Sequence, residues 1–124
     1  MDIKKKILIV EDNKSLAAIY QSRLELEGFA TTLVDDGEKA LAAAVEFRPD
    51  LILLDVMMPE VNGFDVLDIL KNTDKTMNIK IILLTALSQL EDKEQAARLG
   101  ADDYLVKTEA DLDSIVGCIK NCIA

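Results

Sequence analysis

The chain predicts a doubly wound α/β domain, a five-stranded parallel sheet flanked by five helices. Three observations predict it. Five short runs rich in Ile, Val and Leu recur along the 124 residues. The runs are continuously apolar, the mark of strands covered on both faces. Between them lie segments with helical spacing, so strand and helix alternate.

The first run, Ile7 to Val10, is followed by a helix whose face is Leu16, Ile19, Tyr20 and Leu24, with Gly28 placed to end it. The second run, Thr31 to Val34, is the most polar and reads as an edge strand. Ala40, Leu41, Ala44 and Val45 line the next helix, which Pro49 stops. Leu51 to Leu54 is the third run, and Phe64 to Lys71 a shorter third helix. After the fourth run, Ile81 to Leu84, the stretch Ser88-Gln89-Leu90-Glu91 reads as a capping box opening a helix that closes at Gly100. The fifth run is Tyr104 to Val106. The stripe Leu112, Ile115, Val116, Ile119 and Ile123 makes a terminal helix. Nothing resembles a linker or a repeat, so residues 1–124 are expected to form a single domain without an effector domain.

Composition narrows the function classes. A net charge of −9 argues against a nucleic-acid surface, which needs clustered Lys and Arg. No apolar run approaches the length of a membrane span, and the basic N-terminus lacks a signal-peptide core, so a cytoplasmic location is expected. The chain contains no histidine, hence no imidazole base, ligand or phosphohistidine of its own. Cys118 and Cys122 share one helical face, where small half-buried thiols are expected rather than a disulfide or a zinc site.

In parallel sheets of this kind, ligands bind beyond the carboxyl ends of the strands. Glu11 and Asp12 follow the first run, Asp55 the third, Thr85 the fourth and Lys107 the fifth. Each has a plain reading alone, as a helix cap, a β-former or a solvated charge. Asp55 is the exception, because it is embedded between Leu51-Ile52-Leu53-Leu54 and Val56-Met57-Met58-Pro59 and a carboxylate there needs a partner or a function. Three converging carboxylates repel one another, and a divalent cation resolves the conflict. Mg²⁺ suits hard oxygen ligands, and Glu11, Asp12 and Asp55 supply them. A carboxylate in that setting can act as a nucleophile toward a phosphoryl group, with Lys107 and Thr85 placed to meet the charge on its oxygens.

With these residues in place, the chain resembles the receiver domains of two-component response regulators over essentially its whole length. The matching stretches are Ile7-Leu-Ile-Val-Glu-Asp-Asn, Leu51-Ile-Leu-Leu-Asp-Val-Met-Met-Pro, Val61-Asn-Gly, Leu83-Leu-Thr-Ala and Gly100-Ala-Asp-Asp-Tyr-Leu-Val-Lys. The resemblance implies a flavodoxin-like sheet with strand order 2-1-3-4-5. It implies Asp55 as phosphoacceptor, and Glu11, Asp12, Asp55 and the Met57 backbone carbonyl as ligands of Mg²⁺ or Mn²⁺. Thr85 and Lys107 would stabilise the phosphoryl group, Thr85 and Tyr104 would act as the switch, and Pro59 and Gly63 would form the turn after the acceptor. The implied partners are a sensor histidine kinase or histidine phosphotransfer protein and an output protein, the latter meeting a face built from the fourth helix, fifth strand and fifth helix. Neither nucleic acid nor membrane is implied as a direct partner, and a homodimer stays open. Such a protein promotes its own phosphorylation but is a regulator, not a turnover enzyme.

Two features depart from the pattern. Thr108 stands where the family usually has proline, so a trans peptide is expected, and Thr108-Glu109-Ala110-Asp111 predicts an early start to the terminal helix. Met57 is apolar where a polar side chain is common. The rival readings are a pseudo-receiver that never accepts phosphate, a flavin carrier and a haloacid-dehalogenase-like phosphatase. The flavin carrier lacks a phosphate loop after the first strand, and the phosphatase lacks a second Asp two residues after the nucleophile.

Overall fold

The computed structural model describes residues 3–123; Met1 and Asp2, which begin the basic N-terminal run, and Ala124 lie outside the described residues. Ten elements alternate: β1 (Lys6–Val10), α1 (Lys14–Leu26), β2 (Ala30–Val34), α2 (Gly37–Phe47), β3 (Leu51–Leu54), α3 (Gly63–Lys71), β4 (Lys80–Thr85), α4 (Leu90–Arg98), β5 (Asp103–Val106) and α5 (Leu112–Ile123). The strands form one parallel sheet in the order β2-β1-β3-β4-β5, with the polar β2 at an edge.

The continuous apolar runs are explained by where alternate residues go. Leu8, Val10, Ile52, Leu54, Ile81 and Leu83 pack one face against α2, α3 and Ala96 of α4. Ile7, Ile9, Leu51, Leu53, Ile82 and Leu84 pack the other against α1 and α5. Both faces are covered, so neither set could be polar.

Side chains at the loop ends stop each helix from unravelling. Asn13 accepts from the Leu16 N–H at 3.1 Å, Asp36 from Lys39 at 2.9 Å and Asn62 from Phe64 at 2.8 Å. Asp111 accepts from Ser114 at 2.8 Å and caps α5.

Three local expectations need correction. The buried line of α1 is Ala17, Tyr20 and Leu24, and Ile19 turns half outward. The fourth helix begins one residue late, with Gln89 as cap and its N–H bonded to the Asp92 carboxylate at 3.3 Å. The terminal helix does not start at Thr108. The Glu109 and Ala110 N–H groups both turn back to the Val106 carbonyl, at 2.9 and 3.0 Å, closing a turn that leaves Asp111 as the cap. Every described peptide bond is trans, including the one before Thr108.

Both cysteines are free and half-buried. Cys118 Sγ donates to Asp103 Oδ2 at 2.9 Å, and burial, reinforced by that carboxylate, pushes its pKa to about 12. The thiol is therefore held protonated and unreactive. No described helix is long and apolar enough to cross a membrane.

Candidate functional site

Strand register puts the acids side by side. Val10 stands opposite both Val34 and Leu54, so the residues after it and after Leu54 emerge at one level of the sheet edge. The Asp55 N–H bonds the Val10 carbonyl at 3.1 Å, and the Glu11 N–H bonds that of Val34 at 3.1 Å, carrying the ladder one step past the strands. Topology does the rest, since β1 and β3 are neighbours at the point where the strand order reverses.

One oxygen from each of Glu11, Asp12 and Asp55 lies within 4.8 Å of the others. Glu11 and Asp55 are each only 4% exposed, while Asp12 is half-buried and faces the solvent side. Lys107 reaches in from the end of β5, its Nζ 2.6 Å from Glu11 Oε1 and 3.0 Å from Asp55 Oδ2. Backbone donors hold the remaining oxygens. Asn13 N–H donates to Glu11 Oε2 at 3.0 Å and Met57 N–H to Asp55 Oδ1 at 3.1 Å.

Three carboxylates against one ammonium leave two negative charges uncompensated where Glu11 and Asp55 are almost wholly buried. Burial pushes the Glu11 carboxyl above its ordinary pKa; bonds from Lys107 and the Asn13 N–H pull it back, and the Asp55 charge adds to the push. Burial works against the Lys107 ammonium, but its bonds to Glu11 and Asp55 outweigh this and raise its pKa. The donor set is all hard oxygen and its uncompensated charge equals that of one divalent cation. The residues present therefore fit Mg²⁺ or Mn²⁺.

Thr85, fully buried at the end of β4, is tied to β5 through the Lys107 N–H, which bonds its carbonyl at 2.8 Å. Its Oγ1 accepts a long bond, 3.4 Å, from the Leu87 N–H. The Leu87 carbonyl in turn accepts from the Tyr104 hydroxyl at 2.9 Å. Burial, with the Asp92 charge adding, raises the Tyr104 pKa to about 12, so it stays a donor. Leu87 thus joins the two expected switch residues through its own peptide groups.

The turn after Asp55 is tightly built. Gly63 N–H bonds the Val56 carbonyl at 2.9 Å, and a Cβ on Gly63 would lie 2.4 Å from the Asp55 carbonyl oxygen. Pro59 is exposed, Glu60 takes a left-handed φ of 68°, and Met57 bridges to Asn62 across the turn. Met57 is 55% exposed and, with Asp12, Pro59 and Leu87, lines an open groove of about 920 Å³ beside the acids.

Sequence reasoning missed two residues. Leu87 contributes backbone groups, which leave no side-chain signature. Tyr20 was legible only as part of a helix face. The side chain is mostly buried, and its hydroxyl has a raised pKa, caused first by that burial, and feels the charges of Lys107, Glu11 and Asp55.

The comparisons show the family to which the chain belongs. The model of the response regulator receiver domain matches residues 7–119. The chain is 42% identical over 102 residues to the DNA-binding dual master transcriptional regulator RpaA of a Synechocystis species, covering 82% of this chain and 42% of that one. It is 41% identical over 105 residues to the DNA-binding response regulator MtrA of Mycobacterium leprae, covering 85% and 45%. The matched stretch therefore spans less than half the length of these relatives. Among solved structures, the chemotaxis protein CheY4 of Vibrio cholerae superposes with a TM-score of 0.90 at 27% identity, covering 97% of this chain and 99% of that one. A CheY-like receiver domain protein from Methanospirillum hungatei gives 0.90 at 25%, covering 98% and 94%. On its matched residues, its strand order and its relatives, the chain belongs to the response regulator receiver domain family.

Proposed function

We propose that this chain is a phosphorylation-dependent switch that takes a phosphoryl group onto Asp55. The observation that carries the reading is the meeting of Glu11, Asp12 and Asp55 within 4.8 Å, with Lys107 bonded between two of them.

An Asp55 carboxylate oxygen attacks the phosphorus of a partner's phosphohistidine. The P–N bond breaks, the imidazole leaves with the bonding pair, and an acyl phosphate forms on Asp55. Glu11, Asp12, Asp55 and the Met57 carbonyl would hold Mg²⁺ or Mn²⁺, which supplies positive charge to the phosphoryl oxygens when bound. Lys107 turns from the carboxylates toward a phosphoryl oxygen, and Thr85 donates its hydroxyl to another. Moving Thr85 alters the Leu87 peptide and hence the hold on Tyr104, which changes the α4–β5–α5 face read by an output partner. Residues 1–124 act as one cytoplasmic domain, partnered by a histidine kinase or phosphotransfer protein. DNA binding is named for relatives of which the matched stretch is less than half, and this acidic chain does not itself bind nucleic acid.

Incubation with acetyl phosphate and Mg²⁺ is expected to add the mass of one phosphoryl group, and a chelator to prevent it. An unchanged mass would make the chain a pure interaction module. Met57 sets a second expectation. Its apolar side chain at the mouth of the site keeps water from the acyl phosphate, so Met57→Asn is expected to shorten the phosphoryl half-life several-fold. Equal decay of the two proteins would remove that role.

A further inference from the structure

Asn62-Gly63 is the pair most prone to deamidation in any chain, because glycine places no side chain in the way of its own nitrogen. In the reaction the Gly63 nitrogen, giving up its proton, attacks Cγ of Asn62 and ammonia leaves. Water then opens the cyclic imide to aspartate or to isoaspartate. This chain cannot avoid the pair by changing its second member. Any Cβ at 63 would lie 2.4 Å from the Asp55 carbonyl oxygen and 2.5 Å from Val56 Cα, both backbone atoms.

The fold holds each reacting group away from the reaction. Gly63 N–H is bonded to the Val56 carbonyl at 2.9 Å, so its nitrogen is not free to lose a proton and attack. Asn62 Oδ1 is held by the Phe64 N–H at 2.8 Å as the cap of α3. Ring closure needs the Gly63 nitrogen nearly eclipsed with the Asn62 Cβ, and the extended ψ of 127° at Asn62 prevents that. The Asn62 side chain is nevertheless exposed, so water reaches it as soon as the loop moves.

We propose that Asn62 is a fold-gated deamidation site, converted only when the loop between β3 and α3 opens. The two products differ in consequence. Aspartate at 62 still caps α3 and adds a charge favoured at a helix N-terminus. Isoaspartate inserts an extra methylene into the main chain beside Gly63, whose contact with Asp55 leaves no room for it. Chains carrying it lose the acceptor geometry, a consequence that rests on Asp55 as phosphoacceptor; the conversion itself does not.

The test compares deamidation in native buffer and in strong urea at the same alkaline pH. Asn62 is the only side-chain amide between Ala40 and Lys71, so one tryptic peptide reports it. Opening-limited chemistry predicts conversion roughly tenfold or more slower in the folded chain, and exchange of the Gly63 amide hydrogen slowed alongside it. In urea, Asn62 should outpace Asn72 and Asn78, which precede Thr73 and Ile79. Equal rates folded and unfolded, a freely exchanging Gly63 amide, or an Asn62 no faster than Asn72 in urea would each overturn the proposal. Phosphoryl uptake is measured separately on the isoaspartate fraction. Uptake failing in the unconverted protein as well would count against the acceptor reading and not against the gate.

Discussion

Lys107→Ala is expected to cost about 3–5 kcal/mol of stability near neutral pH in the metal-free protein, as breaking a buried ion pair does. The ammonium contacts Glu11 at 2.6 Å and Asp55 at 3.0 Å, and both carboxylates are almost wholly buried. Removing it leaves two neighbouring negative charges without their cation. That is a large share of a typical domain's stability of about 5–15 kcal/mol. The loss should depend on pH in a stated direction. Glu11 already has a raised pKa in the folded chain, and deleting the ammonium raises it further. A group whose folded pKa exceeds its unfolded value is protonated first in the folded state, so stability returns as pH falls through the folded pKa. Urea unfolding should therefore show the full deficit at neutral pH and a smaller one as the solution is made acid. Added Mg²⁺ should narrow the gap, because it supplies positive charge to the same oxygens. A deficit under about 1 kcal/mol at neutral pH, the scale of an exposed pair, would mean that the site is wetter than its burial implies.

Gly63→Ala should be nearly as damaging for a steric reason. The added Cβ meets the Asp55 carbonyl oxygen at 2.4 Å and Val56 Cα at 2.5 Å. Neither is the end of a flexible side chain, so either the chain leaving β3 or the start of α3 must move. Overpacking of this kind costs about 1–3 kcal/mol, and the upper end is expected here because main chain is the obstacle. Phosphoryl uptake should fall with it, since the displaced group is Asp55. Gly117→Ala is the control. That glycine sits within α5 with nothing near its Cβ, and losing a flexible residue from a helix should stabilise by about 0.5–1 kcal/mol. Thermal unfolding of the two variants should move in opposite directions.

Much of the fold was legible because strands buried on both faces cannot hide. Leu51–Leu54 matches its apolar run residue for residue. The meeting of Glu11, Asp12, Asp55 and Lys107 was equally legible, since residues that follow parallel strands are delivered to one edge whatever their loops do. Helix rotation was less so. Ala17 carries too little apolar surface to mark a core face, yet its small size suits a close-packed one, and the bulkier Ile19 turned outward. The start of α5 was misread because Thr108 to Asp111 mimics a capping signal whose real cap is its last member. The roles of Leu87 and Tyr20 depend on contacts between separate elements, which no local pattern encodes.

The most direct test of Asp55 as acceptor is to locate the label. The acetyl-phosphate-treated chain would be reduced with borohydride, which converts an aspartyl phosphate to homoserine, and its peptides sequenced by mass spectrometry. Homoserine at position 55 alone is the expected result. Modification at Glu11, Asp12 or a hydroxyl residue, or none at any position, would contradict it.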